Sequence, residues 1–224
     1  MTINEFLIKT IPTSGKESIL LIQQKRVFIN HEQALQHQSI SERDEIIFDG
    51  QVIQKPYAYF YLAYYKPRGI ECTMSTNIPD NLADALSEVE NFFPVGRLDK
   101  DSEGLMILTN DGQLYKNIAP SESIKEKEYI VTVDHALTEE DIRQLATGVV
   151  IMGKRTRPAQ VFRESDFSFR IILTQGLNRQ IRRMCYKLGY EVTELKRIRI
   201  HALRLDALEP GQYRAIERED ILGV

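Results

Sequence analysis

One segment, residues 96–112, constrains the fold of this chain more than any other. It reads GRLDKDSEGLMILTNDG, with a glycine at each end and a third directly before an apolar run. Glycine accepts backbone dihedral angles that other residues avoid, so these positions indicate turns. The run LMILT (105–109) is typical of a short buried strand. We therefore expect Asp99 on a tight loop that leads into a rigid strand, a common place for a catalytic carboxylate.

Two other interpretations of this acidic loop are open. Its aspartates could cap backbone N–H groups in an ordinary surface turn. Calcium binding is the second, because the run DKDSEG, which starts at Asp99, matches the first half of an EF-hand loop. The second half does not match, since Asn110 occupies the position of the bidentate glutamate and a strand is expected where a helix should follow.

Composition favours a cytoplasmic, metal-free protein with a packed core. Hydrophobic residues make up 42% of the 224 and charged residues 27%, as in ordinary globular proteins. The chain has no apolar run of the ~20 residues that cross a membrane, and its N-terminus does not resemble a signal peptide. Two cysteines do not make a disulfide framework, and four scattered histidines show no metal-ligand spacing.

The net charge of −3 hides a local concentration of basic residues. Residues 174–204 contain eight Lys or Arg against two acids, a local charge of +6, whereas residues 1–55 contain six against seven. A surface that binds nucleic acid is recognised by such clustering rather than by total charge. A basic run is also the ordinary composition of a solvated face, so two interpretations of the cluster are open: a nucleic-acid-binding surface and a solvated face.

The pattern divides the chain into a small N-terminal module, 1–55, and a larger domain, 57–224. The module contains one helix candidate and two strand candidates, at 17–25, 26–30 and 44–50. Lys55-Pro56 is expected to form the hinge between the two, because proline disfavours helix in the residue before it.

The larger domain is predicted to be α+β, with a mixed, largely antiparallel sheet. Three segments are rich in aromatic and β-branched residues, as strands are: 58–65, 128–133 and 167–174. Thr138 is expected to cap a helix that ends at Gly148. Because strands follow one another with few helices between them, antiparallel pairing is favoured over a doubly wound sheet.

A further helix is predicted at 178–188, ending at Gly189. Its apolar stripe is expected to face the core and consists of Ile181, Met184, Cys185 and Leu188. The opposite face carries three cations that are available to phosphate groups: Arg179, Arg183 and Lys187. Arg182 lies between the two faces, where it can reach inward to a partly buried carboxylate.

Four segments together resemble the motifs of a known family. They are YYKPRGIECT (64–73), GRLDKDSEGLMILTNDG (96–112), KEYIV (127–131) and QGLNRQIRRMC (175–185), in the order that the family has them. The family is the S4-domain pseudouridine synthases that modify ribosomal RNA. The region that begins with the fourth segment, QGLNRQIRRMC…GYEV…LKRIRI, looks closest to the branch called synthase F, specific for 23S RNA. The N-terminal module resembles the family's α/β S4 RNA-binding module, although SGKES (14–18) replaces its usual serine and consecutive arginines.

The resemblance implies a cofactor-free isomerisation of one uridine in 23S ribosomal RNA, with 16S ribosomal RNA and transfer RNA as alternative substrates. Asp99 would act as nucleophile or base, with Arg182 as its ion-pair partner. Tyr129 would stack on the flipped uracil. Among the residues assigned to RNA and substrate binding, Arg97 would contact the RNA backbone or fill the space left by the base. Lys66 would structure the loop near the pocket.

Two other functions compete with this hypothesis. A non-catalytic RNA-binding or ribosome-assembly factor would have no need of Asp99, Tyr129 and Arg182 together. A hydrolase acting on a glycosidic bond would pair two carboxylates, and Asp99 and Asp101 are near neighbours in the sequence. Composition gives no reason to expect more than a monomer. The synthase hypothesis accounts for the largest number of these residues.

Overall fold

The computed structural model describes residues 1–118 and 125–223. The chain forms two units, Met1–Tyr59 and Phe60–Val224. The hinge predicted at Lys55-Pro56 lies a few residues before this division. Among the described residues, no helix combines the length and the apolar character needed to cross a membrane.

The N-terminal unit packs two helices on a four-stranded antiparallel sheet of order β2-β1-β3-β4. Both helices begin with a capping box, formed by Thr2 with Glu5 and by Ser14 with Glu17, which explains why they start where they do. The sequence analysis predicted the second helix and missed the first. The elements are α1 (Ile3–Thr10), α2 (Gly15–Gln23), β1 (Val27–Ile29), β2 (Glu32–Gln33), β3 (Ile46–Phe48) and β4 (Gln51–Gln54).

The second unit is built on one large mixed sheet, whose described strands run in the order β11-β12-β8-β13-β7-β5-β15. The short strands β6 and β14 pair with β7 and β13, and the α+β prediction is confirmed. The elements are β5 (Tyr61–Lys66), α3 (Leu82–Ala85), β6 (Phe93–Pro94), β7 (Glu103–Thr109), α4 (Gly112–Ile118), β8 (Lys127–Val133), α5 (Glu139–Thr147), β9 (Val150–Ile151), β10 (Lys154–Arg155), β11 (Gln160–Arg163), β12 (Ser168–Leu173), α6 (Gln180–Lys187), β13 (Val192–Ile200), β14 (Leu203–Arg204), β15 (Tyr213–Ala215) and α7 (Arg218–Leu222).

The centre of this sheet is the pair of long strands β8 and β13, which run antiparallel. The acidic loop leads into β7 as predicted, and β7 is buried along almost its whole length. Strand β7 joins β13 in parallel, whereas the other described pairs of the sheet are antiparallel. The parallel contact therefore fixes the acidic loop next to the strand that carries the basic run LKRIRI.

The two helices predicted in this unit are present. Thr138 caps α5 through a capping box with Asp141, and Gly148, at φ 97°, follows its last residue. Helix α6 buries Ile181, Met184 and Cys185 as the apolar stripe predicts, but it begins two residues later than expected. Arg179 therefore lies outside the helix, in a left-handed conformation (φ 50°), and does not belong to the outer face assigned to it.

A buried ion-pair cluster lies on the face of β8 that carries the even-numbered residues. Glu128 accepts from Arg199 on β13 and, at 2.9 Å, from Arg170 on β12. Burial by itself would raise the pKa of Glu128, but the bonds from Arg199 and Arg170 outweigh burial and hold it below the ordinary 4.5. The ionised Glu128 therefore contributes its full stabilisation at pH values above its ordinary pKa of 4.5. This stabilisation is lost as the pH falls through the lower pKa that Glu128 has in the folded protein.

Replacing Glu128 with glutamine should lower the free energy of unfolding near neutral pH by roughly 1–3 kcal/mol, because it removes the buried charged acceptor that Arg199 and Arg170 share, although each arginine keeps a more exposed partner, Glu126 or Glu164. Glu164→Gln is the matched control, since Glu164 pairs with the same Arg170 at the surface; its cost should stay below about 0.5 kcal/mol. Urea unfolding of the full chain at neutral and acid pH checks this. If the loss of unfolding free energy in Glu128→Gln is as large in acid as at neutral pH, the ionised Glu128 does not stabilise the fold as described.

Candidate active site

A cleft of about 490 Å³ opens on the other face of β8 and β13. Successive side chains of a strand point to opposite faces, so Lys127 and Tyr129 share the cleft face while Glu128 lies on the other. Leu195 and Arg197 of β13 line the same cleft. The acidic loop and the segment before α6 form the walls of the cleft. The second motif, residues 96–112, and the fourth, residues 175–185, therefore meet at this cleft.

Asp99 lies in the cleft wall at a tight turn before β7. The N–H of Ser102 donates to the carbonyl of Asp99 at 3.0 Å and closes the turn. Next to it the Leu98 side chain is buried and the Leu98 N–H meets the Cys72 Sγ at 3.3 Å, which anchors the loop to the core. The Asp99 carboxylate is 31% exposed, so it is held in place yet accessible to a molecule in the cleft.

The cation nearest to Asp99 is Arg179, not Arg182. Arg179 Nη1 lies 3.7 Å from Asp99 Oδ2 and 3.7 Å from Asp101 Oδ2, so it bridges the two carboxylates. The expected ion pair between Arg182 and Asp99 is not formed in this structure. The reason is local geometry: the left-handed backbone of Arg179 takes it out of α6 and into the cleft wall.

Arg182 instead holds the backbone around Asp99. Its Nη1 donates to the carbonyl of Val192 at 2.8 Å, and its Nη2 donates to the carbonyl of Asp101 at 2.9 Å. Burial, and next the charge of Arg179, lower the pKa of Arg182, while the two nearby aspartates act in the opposite direction. Arg182 therefore ties the acidic loop to β13 and positions Asp99 without contacting its carboxylate.

Tyr129 is half-buried and lines the cleft. It packs against two apolar clusters, one of which contains Leu98 and the other Val131. Its backbone is paired with Arg197, so its position along the cleft is fixed by the sheet register. Asp99 and Tyr129, 30 residues apart in the sequence, thus border one cavity.

The remaining predicted site residues divide into three groups. Arg97 is exposed at the cleft. Arg183 and Lys187 are exposed beside a neighbouring groove of about 840 Å³, which Arg179 and Arg182 also line. Lys66 is completely buried, and its Nζ donates to the carbonyls of Pro67 and Ile70 at 2.8 Å. These bonds hold the loop, and the complete burial of Lys66 leaves no surface for the direct RNA contact that its assignment among the RNA-binding residues requires.

Two cleft residues were missed by the sequence analysis. Lys127 is 8% exposed, and burial, followed by the charge of Arg197, lowers its pKa to about 8. Arg197 is 2% exposed; its Nε donates to the carbonyl of Leu105 at 2.7 Å and its Nη1 to that of Arg97 at 3.4 Å. The two-residue period of a strand could have revealed Lys127, because it stands two residues before Tyr129 and therefore lies on the same face.

Metal coordination has no visible basis within the described ranges. No group of three or more His, Cys, Asp or Glu side chains there could hold a metal ion. Glu103, which the calcium interpretation would need as a ligand, accepts a hydrogen bond from the Tyr65 hydroxyl at 2.9 Å. Residues 103–109 form a strand, not the helix that an EF-hand requires.

Comparison with known proteins adds to this geometry. The family described as RNA pseudouridylate synthase matches residues 60–187, which include the cleft residues from Glu71 to Ile181. A crystal structure of a pseudouridylate synthase superposes with a TM-score of 0.68 at 28% sequence identity, covering 99% of this chain and 98% of that one. The fold and the part of the chain that builds the cleft are therefore those of a pseudouridine synthase.

Three curated relatives extend the match to almost the whole chain. The dual-specificity RNA pseudouridine synthase RluF of Escherichia coli (strain K12) is 39% identical over 98% of this chain and 77% of its own length. An uncharacterized RNA pseudouridine synthase of Aquifex aeolicus (strain VF5) is 32% identical, covering 99% of this chain and 94% of its own length. The ribosomal small subunit pseudouridine synthase A of Yersinia pestis is 31% identical, covering 100% and 98%. This chain belongs to the family of RNA pseudouridine synthases.

Proposed function

We propose that this enzyme isomerises a uridine of large-subunit ribosomal RNA to pseudouridine, with Asp99 as the carboxylate that acts on the target nucleotide. The observation that carries the proposal is the single cleft that Asp99 and Tyr129 border, with Arg179 3.7 Å from the carboxylate. The identity to the RluF-type relative, 39%, exceeds that to the small-subunit relative, 31%, which favours the synthase F branch.

The reaction explains why a carboxylate is needed and a redox cofactor is not. The bond between uracil N1 and ribose C1′ breaks, the base turns, and C5 bonds to C1′, so nothing is oxidised and no net hydrolysis occurs. Asp99 acts on the sugar or the base as nucleophile or general base. Arg179 balances and orients its charge, while Arg182 holds the loop through the carbonyl of Asp101.

A carboxylate in the wall of a cleft can act on a uridine only after the base leaves its stack. Tyr129 offers an aromatic face for the flipped uracil, and such stacking contributes roughly 1–3 kcal/mol per base. The exposed Arg97, Arg183 and Lys187 supply contacts to phosphate groups outside the cleft. The neighbouring groove lined by Arg183 and Lys187 is the path that we assign to the RNA strand next to the target nucleotide.

We assign the N-terminal unit to the S4 RNA-binding type, in a cytoplasmic enzyme that acts as a monomer. Its order of two helices followed by short strands supports the S4 assignment. Its contribution to affinity is expected to be small, because α2 has one base, Lys16, in its first turn and Glu17 is engaged in the helix cap. Transfer RNA is a second candidate substrate, since the RluF relative is described as having dual specificity.

Tritium release from RNA labelled at uridine C5 tests the proposal, because C5 loses its hydrogen when it becomes the glycosidic carbon. Transcripts of 23S RNA, 16S RNA and transfer RNA should be assayed separately with the full chain. Release from 23S RNA is expected. Release from 16S RNA alone would reassign the substrate, free uracil would indicate a hydrolase, and no release from any transcript would favour an RNA-binding factor without chemistry.

A further inference from the structure

Two buried cations on the floor of the cleft have no acidic partner in the described parts of the chain. Lys127 is 8% exposed and forms no ion pair there. Arg197 donates from Nε and Nη1 to backbone carbonyls, and its Nη2 is buried without a hydrogen-bond acceptor. Neither side chain forms an ion pair with Asp99 or Glu71, the two carboxylates that line the cleft among the residues the structure describes. The two cations are close enough for the charge of Arg197 to act on Lys127.

Such an arrangement is costly for the folded protein. A buried charge without an acidic partner loses hydration that hydrogen bonds to neutral carbonyls replace only in part, and two like charges repel each other. The cost is visible at Lys127, whose pKa falls to about 8, first through burial and then through Arg197. Uncompensated charge in a cleft is characteristic of sites that receive an oppositely charged group during function.

The chemistry of the reaction supplies such a group. When the N1–C1′ bond breaks with its electron pair remaining on the base, uracil becomes an anion whose charge is spread over N1, O2 and O4. The base then turns, an electron pair at C5 forms the new bond to C1′, the C5 proton leaves, and N1 regains a proton. Negative charge on the detached ring thus exists only between the two bond changes.

We propose that Lys127 and Arg197 form an anion site that stabilises the detached uracil ring while it turns; the inference rests on the proposed function. Depth favours the base over a phosphate group as the occupant. The two cations lie on the floor, and the backbone of Arg197 pairs with that of Tyr129, on which the base stacks. Phosphates belong to the RNA backbone and meet the exposed cations at the rim.

Binding of small bases tests the anion site without using the reaction. The probes are uracil, which is neutral at neutral pH, and 5-nitrouracil, which is ionised there. Wild type should bind 5-nitrouracil at least about ten-fold more tightly than uracil, and Lys127→Met should reduce this preference to below about two-fold. Lys154→Met is the matched control, since Lys154 is exposed on β10 outside the cleft, and it should keep the wild-type preference. Equal binding of both bases by wild type would overturn the inference.

Single-turnover tritium release gives a second, independent readout. Lys127→Met should lower the rate at saturating RNA about 100-fold while leaving the KM for RNA within about two-fold, because the charge matters only after the bond breaks. Lys127→Arg, which restores a cation, should recover part of the loss. Lys127→Met should also melt no lower than wild type, since it replaces an uncompensated buried charge with an apolar chain. A raised KM with an unchanged rate would show a role in RNA binding and overturn the inference.

The two proposals fail separately. If wild type releases no tritium from any RNA, the proposed function fails, whatever the small bases show. If wild type releases tritium but Lys127→Met does so at the wild-type rate, the function stands and the anion site is wrong.

Discussion

Replacing Asp99 with asparagine is expected to abolish pseudouridine formation, with tritium release falling at least about 1,000-fold. Asparagine has nearly the same size as aspartate. It leaves the turn intact, because the Ser102 N–H that closes the turn donates to the backbone carbonyl of residue 99 and not to its side chain. The variant therefore removes the negative charge and its nucleophilic or basic oxygen with little change in shape. Loss of stability should stay below about 1 kcal/mol, since the carboxylate is partly exposed.

Asp101→Asn is the matched control for this prediction. Asp101 lies in the same loop, and its carboxylate is also 3.7 Å from Arg179, yet it is 56% exposed and outside the lining of the cleft. The same chemical change there should lower the rate by less than about ten-fold. Filter binding should show that both variants hold RNA within about two-fold of wild type. Equal losses in the two variants would mean that the pair acts through Arg179, and normal activity of Asp99→Asn would remove Asp99 from the mechanism.

The parts of the site that the sequence predicted are those encoded by contiguous residues. Asp99 follows from its glycine-bounded loop and the apolar strand after it, and both are present. The stripe of α6 follows from the period of a helix, and Met184 and Cys185 are buried accordingly. Local backbone preference and hydrophobic periodicity act over a few residues, so they can be read without knowing the rest of the fold.

The errors arise where side-chain position depends on distant parts of the chain. Arg179 takes the place beside Asp99 that was expected for Arg182, because α6 starts at Gln180, and helix boundaries are the least reliable part of such predictions. Lys66 is buried by the loop that folds over it, which its sequence neighbours do not reveal. The sequence analysis counted Arg197 among the residues of a solvated basic run. Its burial follows from the parallel contact between β7 and β13, which joins segments that are far apart in the sequence.

That parallel contact depends on Gly104. Its φ of +110° is a conformation that L side chains rarely adopt, and it faces Arg197 across the pair. A Cβ atom at this position would lie 2.2 Å from the Arg197 carbonyl oxygen and 2.6 Å from its nitrogen. These are backbone atoms in a paired strand, so they cannot move aside as the end of a flexible side chain could.

Gly104→Ala is therefore expected to lower the free energy of unfolding by about 3 kcal/mol or more, through overlap and backbone strain together. For a unit of this size the melting temperature should fall by at least about 6–12 °C. Gly112→Ala is the control, since an added Cβ there meets nothing within 4 Å and the residue begins α4. Calorimetry of the full-length variants measures both changes. Because the same contact sets the distance between the Asp99 loop and Arg197, any folded Gly104→Ala protein should also lose most of its tritium release. A variant that melts and reacts like wild type would show that β7 and β13 can separate without disturbing the cleft.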